Sequence, residues 1–317
     1  IYNMNAFIEF YMTQNKSKSD STKISMENNI KRLEKLLKKS IKLFHESDFQ
    51  YYHKIFDLMT SEYSDSTCIS TCYAIVKWLE FTDGNDLLII EYLGLVEQLK
   101  IDKLKTAEAQ KKTEHEQEVW IDYPEMKDKV EHAADEYLVK QHSFTQYRNF
   151  IMLSLFTLQP PARLGNYLNC RVIRDMSVDK VKKLDNNFNY IVIGENDYVF
   201  VFNNYKTSGS IGQVVYHVEN DTLTSLLDLF FSNYNDTFDY FLTNANGVEI
   251  SQSNFTHALG SVSKRILGKE IRLNDIRHIF LTWFESINPS IKDKKTVLEL
   301  VGHKYKSTTT EKYARHY

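Results

Sequence analysis

Apolar residues recur at spacings of three and four along the first third of the chain, which is the period of an amphipathic helix. This pattern predicts helices over 25–45, 66–82 and 86–100. No alternating strand pattern occurs before this point, so we predict a compact all-helical domain over residues 1–105. The apolar face of its first predicted helix consists of Ile30, Leu33, Leu37, Ile41 and Phe44.

The pattern changes after this domain. Residues 107–139 contain ten acidic residues against four lysines and at first lack apolar periodicity, so we place a linker at 106–120. A second domain is predicted over 121–317. It begins with a buried helix over 144–158, which Pro160 and the proline after it stop.

Strand signals occur only in this second domain. The segments 190–193, 198–202 and 214–218 are rich in β-branched and aromatic residues, which favour strands. We predict a three-stranded antiparallel sheet, followed from residue 222 by helices that include Ser251 and Asn274 as caps. The predicted fold class is therefore mainly α with a small antiparallel β-sheet.

Length and composition set outer limits. A chain of 317 residues is long enough for two domains, and its longest apolar stretches are interrupted by glutamates, which argues against a membrane span. No secretion leader is apparent at Ile1, so we expect an intracellular protein or a piece of a longer one. The three cysteines, Cys68, Cys72 and Cys170, show no zinc spacing and are expected to be buried apolar residues.

Charge is unevenly distributed. The net charge is −3, which by itself argues against a nucleic-acid partner. However, residues 16–42 contain nine Lys or Arg against three acids, and residues 263–317 contain twelve against six. Two separate basic clusters are typical of a protein that contacts phosphates, although a solvated helix face is the alternative for each.

Most signatures of enzymes are missing from the sequence. It has no glycine-rich phosphate loop, GxSxG or HExxH motif, and no carboxylate cluster suited to two magnesium ions. The remaining candidates are basic residues in marked local positions and one tyrosine. They are Arg163 after the PPA segment, Lys206 at the predicted hairpin tip, Arg277 and His278 in IRHIF, His303 in LVGH, and Tyr313 ten residues later.

These segments together resemble the tyrosine recombinases, or integrases, whose catalytic pocket is shared with type IB topoisomerases. IRHIF followed by LVGHKYKSTTTEKYARHY is similar to the second-arginine, Gly-His and nucleophile boxes of that family. PPARLGNYLNC and YKTSGS resemble the first-arginine box and the lysine hairpin more weakly. The resemblance implies a helical core-binding domain and an α+β catalytic domain that close as a C-shaped clamp around DNA.

The resemblance also implies a role for each residue. Arg163 and Arg277 would hold the non-bridging oxygens of a DNA phosphate with paired hydrogen bonds. Tyr313 would be the nucleophile, and Tyr305 and Tyr317 lack the family's spacing from His303. Lys206 would protonate the leaving 5′ oxygen. His303 would bind the phosphate or the tyrosine oxygen, and His278 could give support.

Two positions depart from the family pattern. The family usually has His three residues before the second arginine, where this chain has Asn274. An amide can donate a hydrogen bond but cannot accept and return a proton at neutral pH. Asn166 stands where the family often has Glu, which usually has a supporting role.

The sequence therefore predicts a site-specific DNA recombinase or integrase that forms a 3′-phosphotyrosine intermediate without ATP, metal or other cofactor. The alternatives are a type IB topoisomerase, a catalytically weakened DNA-binding protein of the same fold, and a helical scaffold with no DNA role. Its Asn-, Lys- and Tyr-rich composition suggests an AT-rich genome such as that of a virus or mobile element.

The expected partners are double-stranded DNA and further copies of the chain. Because only four residues follow Tyr313, we expect a monomer in free solution and assembly, as a tetramer, only on paired DNA sites or in a longer native chain. Inside the cell the protein would be found with DNA, in nucleoid, nucleus or host cytoplasm. The residues expected to contact DNA phosphates are Lys31, Arg32, Lys35, Lys38, Lys39, Lys304 and Lys306.

Overall fold

The structure is a computed structural model that describes residues 3–14, 20–108, 111–174, 180, 184–194, 197–234 and 238–303. The chain divides into two compact units, Ile1–Ala109 and Gln110–Tyr317. Among the described residues, no helix has both the length and the apolar character needed to cross a bilayer.

The described part of the first unit is helical throughout. Trp78 lies at its centre, with its ring 5.4 Å from Phe7, 5.8 Å from Phe44 and 5.7 Å from Phe81 between centroids. Such aromatic packing buries a large apolar area in a small volume. The α-helices are α1 (Met4–Thr13), α2 (Asp20–Leu37), α3 (Tyr52–Glu62), α4 (Asp65–Phe81) and α5 (Asp86–Glu108).

The helix predicted over 25–45 is too long. Helix α2 ends at Leu37, and Lys38 has a positive φ of 51°. The carboxylate of Glu34 accepts the backbone N–H of Ile41 at 2.8 Å, which stabilises the break. A 3-10 helix at Ile41–Leu43 then returns Ile41 to the core, so the apolar spacing persists without a continuous helix.

The second unit is built around one buried helix, which agrees with the segment predicted over 144–158. Ser143 caps this helix by accepting the N–H of Gln146, and its residues 150–157 are all buried. The α-helices described in this unit are α6 (Glu114–Val119), α7 (Tyr123–Val139), α8 (Phe144–Thr157), α9 (Leu164–Tyr167), α10 (Ser208–Ile211), α11 (Asp221–Asn233), α12 (Gln252–Leu267), α13 (Leu273–Ser286) and α14 (Ile291–Leu300).

The sheet has four described strands rather than the predicted three. They are β1 (Cys170–Arg174), β2 (Asn189–Ile193), β3 (Tyr198–Phe202) and β4 (Val214–His217), in that spatial order. The strands β2 to β4 are antiparallel as predicted, but β1 pairs with β2 in parallel. The sequence CRVIR was missed because two arginines interrupt its short apolar pattern. One of them, Arg171, covers the ring of Phe188 at 3.5 Å.

Other details of the prediction also change. Ser251 caps α12 as expected, by accepting the N–H of Asn254. Asn274 is not a cap, because α13 begins one residue earlier and the carboxylate of Asp275 accepts the N–H of Arg272 at 3.0 Å. The segment 106–120, predicted as a linker, contains the end of α5 and all of α6. The three cysteines are buried, as predicted.

The predicted fold class, mainly α with a small sheet, is confirmed. The mixed character of the sheet is the correction to it. Strands β2 and β3 are buried on almost every residue, which explains why their sequences are continuous apolar runs and not alternating ones.

Candidate active site

Helix α13, the segment that follows α14 and the residue before α9 line a cleft of about 200 Å³ in the second unit. Five of the residues that line it are candidates that the sequence had singled out. Arg163 is more than 100 residues from the others in the sequence, so only the fold brings it to them. The lining residues are Arg163, Asn274, Arg277, His278, Leu281 and His303.

Arg277 joins the elements that form this cleft. Its side chain is buried, and Nη1 donates to the Pro161 carbonyl at 2.6 Å while Nη2 donates to the Val301 carbonyl at 2.6 Å. Nη2 also lies 3.2 Å from Nε2 of His303. A buried guanidinium is stable only with such partners, so its plane is fixed between the PPA segment and the end of α14.

Arg163 lies just before α9, in an extended conformation. Its Nη2 donates to the Gly302 carbonyl at 3.4 Å. Gly302 has a φ of +76°, and a Cβ at this position would lie 2.9 Å from Nε of Arg163. Both the backbone conformation and the close approach of the arginine therefore require glycine here.

His303 is held as a neutral imidazole. Burial, followed by the charges of Arg277 and Arg163 and the neighbouring His278, lowers the pKa of His303 to about 4. Unprotonated Nε2 can accept a hydrogen bond from Nη2 of Arg277. At neutral pH, therefore, His303 is uncharged, whereas Arg163 and Arg277 beside it carry positive charge.

Asn274 and His278 stand one turn apart on α13, and both line the cleft. Asn274 is exposed, and His278 is half-buried. The sequence could not decide whether His278 faces the site, because it directly follows Arg277. The helical turn answers this, since residues at i and i+4 share a face.

Lys206 lies on the connection between β3 and β4, which contains the short helix α10 and is not a simple tip. Its side chain is exposed and stands outside the lining of the cleft. The next residue, Thr207, donates its hydroxyl to the Gly302 carbonyl at 3.0 Å. The lysine segment is thereby attached to the same carbonyl that Arg163 contacts.

Asn189 is a residue of this region that sequence reasoning missed. Its Oδ1 accepts the N–H groups of Asn203 and Asn204, both at 2.8 Å. Its Nδ2 donates to the carbonyls of Gly165, Asn166 and Asn204. One buried amide thus joins the segment after the first arginine to the beginning of the lysine connection. An Asn at the first position of a strand carries no signal of these contacts in the sequence.

Some predicted residues lie outside the described part of the chain. These are Tyr313, its rivals Tyr305 and Tyr317, and the lysines Lys304 and Lys306. Within the described residues, no group of three His, Cys, Asp or Glu side chains is arranged to hold a metal ion.

The basic residues of the first unit differ in their surroundings. Lys31, Arg32 and Lys35 lie on α2, whereas Lys38 and Lys39 follow its end. Lys35 contacts Glu62 at 3.3 Å, and Lys39 contacts Asp48 at 2.7 Å. The Arg32 side chain donates to Asn29. Lys31 and Lys38 have exposed side chains.

Comparison with known proteins identifies the fold. No family model and no curated protein sequence matches the chain. The structure of the XerH site-specific recombinase bound to difH substrate in a pre-cleavage complex has a TM-score of 0.56 and 12% identity, covering 100% of this chain and 87% of that one. The post-cleavage complex of XerH with palindromic difH substrate gives 0.54 and 14%, covering 99% and 86%. The chain has the fold of the tyrosine recombinases.

Proposed function

We propose that the chain is a site-specific tyrosine recombinase that cleaves and rejoins DNA through a covalent intermediate at Tyr313. The observation that carries this proposal is the convergence of Arg163, Arg277 and His303 on one cleft of a recombinase fold. Two guanidiniums, with no carboxylate among the described residues that line the cleft, form a site for a single anionic group. A phosphodiester is the anion that this fold handles in the XerH complexes, which contain DNA substrates.

In the proposed reaction, cleavage and rejoining each exchange one phosphoester bond for another. The phenol oxygen of Tyr313 attacks the phosphorus and loses its proton to solvent water, while the bond from phosphorus to the 5′ oxygen breaks. The strand is left as a 3′-phosphotyrosine, and the departing 5′ oxygen takes up a proton from Lys206. Attack by a second 5′ hydroxyl reverses these steps and rejoins a strand. The phosphoester is conserved throughout, so the exchange needs no ATP.

The residues of the cleft would stabilise the transition state. Negative charge grows on the non-bridging oxygens as the tyrosine attacks, and preorganised donors in a partly buried site are worth most there. Arg277 is already fixed by two backbone carbonyls, so little reorganisation is needed. The neutral His303 beside it would contribute a hydrogen bond and no charge.

DNA binding would involve both units. Lys31 and Lys38, with exposed side chains, are the residues of the first cluster that we favour as phosphate contacts. Lys35 and Lys39 would have to exchange their carboxylate partners for phosphate. Binding that rests on such contacts weakens steeply with salt. Assembly into a tetramer on paired sites is part of the same proposal.

A second candidate is a catalytically weakened DNA-binding protein, and Asn274 is the observation that favours it. An amide cannot act as a proton acceptor at this position of the cleft. The third candidate, a topoisomerase of type IB, shares the pocket chemistry. It would relax supercoils as a monomer and exchange no strands.

Covalent capture tests the proposal and requires no defined target sequence. The protein is incubated with a library of nicked duplexes of random sequence, and DNA attached to protein is recovered under denaturing conditions and sequenced. We expect an enriched site and, by peptide mapping, an adduct on Tyr313. The variant Tyr313→Phe should give no adduct and keep its DNA affinity, because affinity rests on Lys and Arg contacts.

The outcomes separate the candidates. An adduct on Tyr305 or Tyr317 would overturn the assignment of the nucleophile. Binding without any adduct would select the weakened DNA-binding protein. An adduct with relaxation of supercoiled plasmid but no strand exchange between captured sites would select the topoisomerase.

A further inference from the structure

The hydroxyl of Thr207 is not used where a helix would ordinarily use it. Thr207 occupies the N-cap position of α10, where a threonine side chain usually accepts a backbone N–H of its own helix. No such bond is present here. The hydroxyl instead donates at 3.0 Å to the carbonyl of Gly302, 95 residues further along the chain.

The Gly302 carbonyl is also the acceptor of Arg163. Nη2 of the arginine lies 3.4 Å from it, and a Cβ at Gly302 would lie 2.9 Å from the arginine Nε and 3.5 Å from the Thr207 hydroxyl. Thr207 and Arg163 therefore both contact Gly302, and both donate to its carbonyl. A displacement of the connection between β3 and β4, which contains Lys206, would therefore shift Arg163. A displacement of Arg163 would likewise shift this connection.

Both neighbours of Lys206 are held in place. On one side Tyr205 is buried and donates its hydroxyl to the Gly212 carbonyl at 2.8 Å, which closes the connection on itself. On the other side Thr207 is bound to Gly302. Of these three residues, Lys206 alone has an exposed side chain. The position of its backbone, from which the side chain extends, is therefore set by Tyr205 and Thr207.

We propose that Thr207 is a positioning residue that sets the reach of Lys206 through its hydrogen bond to Gly302. This inference rests on the proposed function, in which the lysine ammonium gives a proton to the 5′ oxygen as the bond to phosphorus breaks. The neutral amine regains its proton when a 5′ hydroxyl attacks in the rejoining step. Proton transfer requires contact within hydrogen-bonding distance. A displacement of about 1 Å is enough to slow such a step by roughly 100-fold.

The test compares two substrates that differ only at the leaving atom. The captured cleavage site is made with either oxygen or sulfur at the 5′ bridging position. A thiolate leaves without a proton, because the pKa of a thiol is only ~8.5. A defect in proton donation is therefore visible on the oxygen substrate and absent on the sulfur substrate.

Three variants isolate the hydroxyl. Thr207→Val removes it and keeps the branched shape, Thr207→Ser keeps it, and Ser210→Ala removes a different hydroxyl of the same helix, which donates to the Thr207 carbonyl. We expect Thr207→Val to cleave the oxygen substrate roughly 10- to 100-fold more slowly and the sulfur substrate at nearly the wild-type rate. The other two should resemble the wild type on both.

Lys206→Ala is the reference for the lysine. It should show the same oxygen-specific defect, and adding Thr207→Val to it should cause no further loss. Because the ratio of the two rates is measured on one protein sample, it does not depend on the fraction that is folded. The comparison therefore remains valid if a variant is less stable.

Each contrary result has a distinct meaning. Wild-type cleavage by Thr207→Val, or an equal loss on both substrates, would overturn the positioning role and leave the recombinase proposal standing. An equal loss on both substrates by Lys206→Ala would show that the lysine is not the acid, which also overturns the inference. Absence of any adduct with the wild-type protein would refute the proposed function itself.

Discussion

Nη2 of Arg277 and Nε2 of His303 lie 3.2 Å apart, and this contact couples the charge of one residue to the protonation of the other. The guanidinium stays charged at all working pH values. The imidazole can accept its hydrogen bond only while Nε2 is unprotonated. Acid should therefore disturb the site by protonating His303, before any effect on the arginines.

The first prediction follows from the lowered pKa of His303, which is about 4. The ordinary value of ~6.5 applies in the unfolded chain, so between these values the unfolded state binds more protons. The stabilising contribution of the neutral imidazole is complete above pH ~6.5 and is lost as the pH falls towards 4. Thermal unfolding of the wild type at about pH 7.5 and about pH 5 should show this loss.

The variant His303→Gln lacks the titrating group and should lose less stability between the same two pH values. His257→Gln is the control, since His257 is exposed on α12 and outside the cleft. If His303→Gln and the wild type lose the same stability, the imidazole does not carry this pH dependence.

The second prediction distinguishes the two arginines. Ala at either position should slow cleavage by roughly 100-fold or more, because one preorganised donor is lost. Only Arg277→Ala should also destabilise the fold, by at least ~2 kcal/mol, because the carbonyls of Pro161 and Val301 lose their partner. Arg163 has one long bond to Gly302, and its buried Nε has no partner among the described residues.

Cleavage rates on the captured site and urea unfolding measure the two effects. Lysine should rescue poorly at either position, since an ammonium lacks the planar fork. Wild-type-like cleavage by Arg277→Lys would exclude a direct contact of this residue with the phosphate.

The third prediction concerns Gly302. Gly302→Ala places a Cβ 2.9 Å from Nε of Arg163 and strains a φ of +76°. Gly268 has nearly the same φ, +78°, but a Cβ there would meet nothing within 4 Å. Both Ala variants should therefore lose about 1 kcal/mol of stability from the backbone. Only Gly302→Ala should also displace Arg163 and slow cleavage, by at least ~10-fold.

The paired measurement is thermal unfolding and single-turnover cleavage of the two variants. Equal cleavage rates for Gly302→Ala and Gly268→Ala would mean that the site tolerates the displacement of Arg163.

The sequence was informative wherever a pattern repeats or a motif has a fixed order. The apolar period predicted α4, and an apolar run stopped by two prolines predicted α8, both nearly to the residue. The order of the boxes selected Arg163, Arg277 and His303, which the fold places in one cleft. Strand β1 was missed because two arginines interrupt its short apolar pattern, and its parallel pairing with β2 leaves no signal in its own sequence.

The contacts of Thr207 and Asn189 could not be predicted for a different reason. Their acceptors are mainly backbone carbonyls, at Gly302 for the threonine and at three positions for the asparagine. Every residue has a carbonyl, so such a contact leaves no mark on the sequence of the acceptor. Such a contact depends only on the path of the backbone in the folded protein.

The last prediction concerns Asn274, which lines the cleft and is exposed at the second position of α13. An imidazole there could accept the proton of an attacking phenol, which the amide cannot. The nearby arginines and the positive end of the helix both favour the neutral form of that imidazole. Asn274→His should therefore cleave faster than the wild type, and its rate should rise with pH near or below ~6.5. Asn274→Ala should cleave more slowly than the wild type, since it loses a hydrogen-bond donor.

Neither change at Asn274 should alter stability, because Asp275 and not Asn274 closes the first turn of the helix. Asn254→His, in the first turn of α12 and away from the cleft, controls for the added histidine. Single-turnover cleavage rates of the three variants across this pH range test whether residue 274 can accept the phenol proton. A pH profile for Asn274→His that coincides with that of the wild type would show that this proton leaves by another route.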